Sequence, residues 1–117
     1  MNAIYTKNAP DAIGPYSQAI VTNGLVFTSG QIAINPESGA VEAQTITEQT
    51  EQVCKNIKAV LEAADSSLEN VVKTVCFLKT VAELISSLQV HVRRTITDAT
   101  WKRAPGSHQI LCFRTVF

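Results

Sequence analysis

Aromatic side chains make up only 6% of this 117-residue chain, histidine occurs twice, and cysteine stands at three scattered positions, Cys54, Cys76 and Cys112. An odd number of distant cysteines without C-x-x-C spacing argues against a disulfide framework or a cysteine-based zinc site, and fits a reducing, cytoplasmic compartment. His91 and His108 have no partner at metal-ligand spacing, and no serine stands in a nucleophile context, so neither a metal centre nor Ser-His-Asp chemistry is expected. Neither sign of charge is in excess. Ten basic residues meet ten acidic ones, which removes a general attraction for nucleic acid or anionic membrane and favours a small or neutral partner. No apolar run is long enough to span a bilayer, and MNAIYTKNAP lacks the basic and apolar regions of a secretory leader, so no membrane role is expected. The glycines do not form a phosphate loop either: TSGQIAIN lacks both the glycine spacing and the terminal Lys-Ser/Thr pair.

What is present suits one domain over residues 1–117, with 45% hydrophobic residues to build a modest core. In APDAIGPYSQAI, Gly14 offers conformational freedom and Pro15 fixes its own φ, so the segment reads as a stiff turn that carries Tyr16. Two apolar runs flank Asn23 and Gly24, the signature of a type I′ hairpin over residues 17–34. Gly30 in TSGQ predicts a bulge or a close approach to the backbone, and NPESG predicts a turn. Thr45 and Glu48 stand at capping-box spacing before Val53, Ile57, Val60, Leu61 and Ala64, an amphipathic helix. VVKTVCFL reads as a strand. Thr80 and Glu83 open a second amphipathic helix to about Val92, and ILCFRTVF closes the chain as a last strand.

These elements make an α+β domain: a sheet with two helices on one face. The strand residues pointing the other way are also apolar and need cover, and a second copy of the chain is the simplest cover. By composition alone, the Tyr16 and Ser29 hydroxyls serve either a ligand or a buried hydrogen-bond partner. Arg93, Arg94, Lys102 and Arg103 around Trp101 form either a small basic patch or ordinary solvated surface.

NAPDAIGPYSQAI, VFTSGQIAINPESG and VKTVCFL resemble the RidA family, also called the YjgF or L-PSP family, over residues 1 to about 80. The resemblance implies a chorismate-mutase-like fold with a mixed sheet, a homotrimer whose sheets close a central barrel, and pockets between subunits. It implies deamination of reactive enamines and imines, with 2-iminobutanoate or 2-iminopropanoate hydrolysed to a 2-keto acid and ammonia without metal or cofactor. Tyr16 matches the family's pocket tyrosine, Ser29 and Gly30 match the wall beside it, and counting along the chain brings Arg103 to the place of the carboxylate-binding arginine.

The segment 80–117 departs from that pattern. Leu88 and His91 stand where the family places an asparagine and a tyrosine, KRAPGS reverses the local order of the arginine motif, and no acidic residue follows Cys112. The departure leaves open a ligand-binding trimer with weak or no deaminase activity, or a tail written in an altered reading frame. An RNA-interacting protein of the ribonuclease or translation-inhibitor type is the other class that the family names suggest, and the charge balance argues against it.

Overall fold

In the computed structural model of the chain, which describes residues 1–77 and 111–116 and side chains through Thr74, Asn23 and Gly24 both take left-handed backbone, with φ of 50° and 73°. That is the twist a two-residue hairpin needs. It joins β2 (Ala19–Thr22) to β3 (Leu25–Gln31), antiparallel, with Thr22 opposite Leu25. The first strand, β1 (Asn2–Ile4), pairs antiparallel with the free side of β2. Three residues are too few to show a period in the sequence, so this strand was not expected there.

Beyond β3 the sheet becomes parallel. β4 (Lys73–Phe77) and β5 (Leu111–Val116) complete the order β1-β2-β3-β5-β4, with β5 inserted between β3 and β4 and parallel to both. The sheet is therefore mixed, as the family resemblance implied. At the end of β3 the pairing with β5 changes register between Thr28 and Gln31, the irregularity that Gly30 predicted.

The crossover from β3 to β4 runs through α1 (Ile46–Ala63) and a 3-10 turn at Leu68–Asn70. Thr45 opens α1 with a complete capping box: its Oγ1 accepts from the Glu48 amide at 3.2 Å, and the Thr45 amide donates to the Glu48 carboxylate at 3.4 Å. The helix ends in a Schellman motif. The Asp65 amide donates to Glu62 O at 3.1 Å and the Ser66 amide to Leu61 O at 2.8 Å, with Asp65 itself at φ 56°.

Val53, Ile57, Val60 and Leu61 on α1 bury themselves with Ala9, Ala19, Val26 and Ala33 in one core. Val21 and Val26, cross-strand partners, thus face the helix together with the pair Ala19 and Thr28. Ile20 and its partner Phe27 point the other way, and Phe27 is 41% exposed in the single chain. The apolar outer face expected from the strand pattern is present. The second helix, predicted over 80–92, and the basic cluster of 93–103 lie outside the described residues.

Candidate functional site

Pro15 sits at the centre of a γ-turn, in which the Tyr16 amide donates to Gly14 O at 2.8 Å. Gly14 achieves this without positive φ, so its conformational freedom is not what the turn uses. A methyl group built on Gly14 would meet the Tyr16 ring at 3.5 Å, which places the ring alongside Gly14. Tyr16 is half exposed, and its hydroxyl is presented on a short, stiff stretch of chain.

Ser29 and Gly30 approach this turn from β3. The Ser29 amide donates to Gln18 O at 3.0 Å and its Oγ donates to Ser17 O at 2.6 Å, so one residue is fastened twice to the strand that leaves Tyr16. The hydroxyl proton of Ser29 is committed, which leaves its oxygen as an acceptor toward a ligand. Gly30, exposed, lies in the register shift that interrupts the parallel ladder. Tyr16, Ser29 and Gly30 are therefore brought to one end of the hairpin. Arg103 lies outside the described residues. Beside Ser29, the buried Thr28 Oγ1 has no hydrogen-bond partner among the described residues.

Two buried amides that build this region were not singled out from the sequence. Gln18 is 2% exposed; its Oε1 accepts from the Thr6 amide at 2.6 Å, and its Nε2 donates to the carbonyls of Thr6, Ala9 and Pro10 at 3.0, 3.3 and 2.8 Å. Asn56, fully buried, donates to Ile32 O at 3.1 Å and Ile34 O at 2.9 Å and accepts from Gln52 at 2.9 Å. Asn56 had a legible signal: it falls three residues after Val53, on the apolar stripe of α1. A polar residue in that position must find partners for its amide.

A groove of about 340 Å³ lies elsewhere, between Asn35 and Glu42 of the loop after β3 and Glu48, Glu51, Gln52 and Lys55 of α1. Amide and hydroxyl donors from Asn35 and Ser38 hold the Glu42 carboxyl below its ordinary value. Glu48 serves the capping box. Three carboxylates against one ammonium make this groove unfavourable for an anionic ligand, and none of the residues nominated from the sequence lines it. Among the described residues, no group of His, Cys, Asp and Glu could hold a metal ion, and no helix is long and apolar enough to cross a membrane.

The profile of the family described as endoribonuclease L-PSP matches residues 6–111, well past the stretch on which the motif resemblance rests. A RutC family protein of Pyrococcus horikoshii is 46% identical over 88 residues, covering 75% of this chain and 70% of the relative. Reactive Intermediate Deaminase A of the Arabidopsis thaliana chloroplast is 39% identical over 90 residues, which cover 77% of this chain and 48% of that protein. Among solved structures, E. coli TdcF with bound serine superposes with a TM-score of 0.75 at 30% identity, over 97% of this chain and 85% of that one. The chain belongs to the RidA family, also known as the YjgF or L-PSP family.

Proposed function

We propose that the protein hydrolyses small 2-imino acids such as 2-iminobutanoate and 2-iminopropanoate to 2-keto acids and ammonia. The observation that carries this reading is the fastening of Ser29 to Ser17 and Gln18, the two residues that follow Tyr16, in a chain 39% identical to a reactive intermediate deaminase. Water attacks the imine carbon, a C–O bond forms as the C=N electrons move to nitrogen, and ammonia departs as the carbonyl closes. Such a reaction needs a fixed substrate carbon and polar groups around the attacking water. Tyr16 and the Ser29 oxygen supply polar atoms at one wall, and the exposed Gly30 leaves room beside them. A TdcF that accommodates serine is consistent with a pocket for small, carboxylate-bearing molecules.

The carboxylate needs a cation, and the described part of the chain offers little. Residues 1–77 hold four lysines and no arginine, and every arginine of the sequence lies at position 93 or later. Arg103 is the proposed clamp, and the pocket is proposed to lie between subunits of a cytoplasmic homotrimer, with no metal or cofactor. A coupled assay that generates the imine in situ and follows keto acid and ammonia tests the reaction. Acceleration above the buffer rate is expected, and Arg103→Ala should lower kcat/KM by about 30- to 150-fold, the loss of roughly 2 to 3 kcal/mol of charged hydrogen bonding. No acceleration by the intact chain would leave a binding trimer.

The family's description as an endoribonuclease supports a second reading, RNA binding. Titration of labelled single-stranded RNA at several salt concentrations separates the two, since phosphate contacts must weaken steeply as salt rises. Binding at the non-specific level is the expected result.

A further inference from the structure

We infer that Gln18 is the positioning residue of the site, the latch that decides where the Tyr16 hydroxyl stands. The inference rests on the proposed role of Tyr16 in the pocket. Tyr16 is half exposed, so packing alone does little to fix it; apart from the ring's contact with Gly14, its place follows from the course of its backbone. That backbone belongs to a loop of residues 6–18 whose neck is closed by one side chain. The Gln18 amide takes the Thr6 amide on its oxygen and shares its two protons among the carbonyls of Thr6, Ala9 and Pro10. The incoming limb is thereby held against the outgoing limb, two residues past Tyr16.

Gln18 also faces the other wall, because its own carbonyl accepts the Ser29 amide. The carbonyls of Ser17 and Gln18 thus tie the Tyr16 turn to Ser29, and the Gln18 side chain ties the same stretch to the incoming limb. Apart from the Ser29 Oγ bond to Ser17 O and the burial of Ala9 in the core, the remaining ties of the loop are weaker: Tyr5 and Asp11 share an exposed hydrogen bond, which raises the Tyr5 pKa, and the Asn8 amide donates to Thr6 Oγ1 at 3.2 Å. Neither is buried. With the Gln18 amide removed, three carbonyls and one amide lose their partner, and the loop must find another course.

The chain contains two tyrosines, so uniform fluorotyrosine labelling gives two fluorine signals, assigned by Tyr5→Phe and Tyr16→Phe. In Gln18→Ala the Tyr16 signal should shift or split. KM for the imino acid and the dissociation constant for 2-ketobutanoate should both rise about 10- to 100-fold, the range a misplacement of about 1 Å can produce, while kcat changes less. Val60→Ala, which opens a cavity in the core that Ala9 shares but removes none of the Gln18 hydrogen bonds, should lower the melting temperature and leave the Tyr16 signal and KM in place. Gln18→Glu is the second variant and the chemical test. Its carboxylate keeps the acceptor for Thr6 but faces three carbonyl oxygens, and only when protonated can it donate to one of them. Lowering the pH should move its Tyr16 signal and its keto-acid affinity back toward wild type, and this reversal should be missing in Gln18→Ala. A folded Gln18→Ala with an unmoved Tyr16 signal and unchanged KM overturns the inference, as does a Val60→Ala variant that shifts both equally. If the intact chain neither hydrolyses the imine nor binds the keto acid, the proposed function falls, and the fluorine signals still decide whether Gln18 fixes Tyr16.

Discussion

Gly14 and Gly39 look alike in sequence, each beside a turn, and the backbone separates them. Gly39 stands at φ 71°, where any Cβ is strained, although nothing lies within 4 Å of it. Gly14 has ordinary φ, and its added methyl would make van der Waals contact with the Tyr16 ring at 3.5 Å. Gly39→Ala should therefore cost about 1 kcal/mol. Gly14→Ala should be neutral or stabilise by up to about 0.5 kcal/mol, through a less free unfolded chain. Urea denaturation of the two variants measures the contrast, and equal effects would contradict the backbone assignment. Thr28 offers a second test at this scale. Its buried hydroxyl is unpartnered among the described residues, so Thr28→Val, nearly isosteric, should raise stability by about 1 kcal/mol. A fall in melting temperature would mean that the hydroxyl has a partner in the folded protein.

At the scale of elements, the sequence was most legible where the determinants are local. Asn23 with Gly24, and Thr45 with Glu48, are neighbours whose own chemistry makes the turn and the cap, so hairpin and helix start could be placed without knowing the rest. β1 and the insertion of β5 between β3 and β4 depend on distant partners, and no local signal encodes them. The site divides in the same way: Tyr16, Ser29 and Gly30 were nominated through motif resemblance, whereas Gln18 matters through contacts made 8 to 12 residues away. The end of α1 shows a local rule obeyed by an unfavourable residue. Asp65 takes the left-handed position that closes the Schellman motif, where glycine bears no Cβ penalty. Asp65→Gly should stabilise the chain by about 0.5 to 1 kcal/mol. Thermal denaturation gives the answer, and destabilisation would show that the Asp65 side chain contributes more than its backbone strain costs.

For the whole molecule, charge and apolar surface point toward assembly. Residues 1–77 carry four lysines against eight acidic side chains, while the remaining forty carry six basic residues against two acidic ones, so the neutral total conceals two oppositely charged halves. The arginine clamp proposed for a substrate held at Tyr16 and Ser29 comes from the later part, of its own chain or of a neighbour, because no arginine precedes position 93. Phe27 lies on β3, the third of five strands, on the sheet face away from α1, with Ile20 opposite it and 41% of its own surface exposed. Burying such a face against further copies returns apolar area to a dry environment at about 25 cal/mol per Å², and a carboxylate placed there would resist burial strongly. Sedimentation equilibrium at micromolar protein should give three times the chain mass for the wild type and a smaller species for Phe27→Asp. The substitution should also weaken 2-keto acid binding, because a pocket between subunits cannot survive their separation. A monomeric wild type would sink the trimer. A monomeric Phe27→Asp that keeps full affinity would leave the trimer standing and place the pocket within one chain.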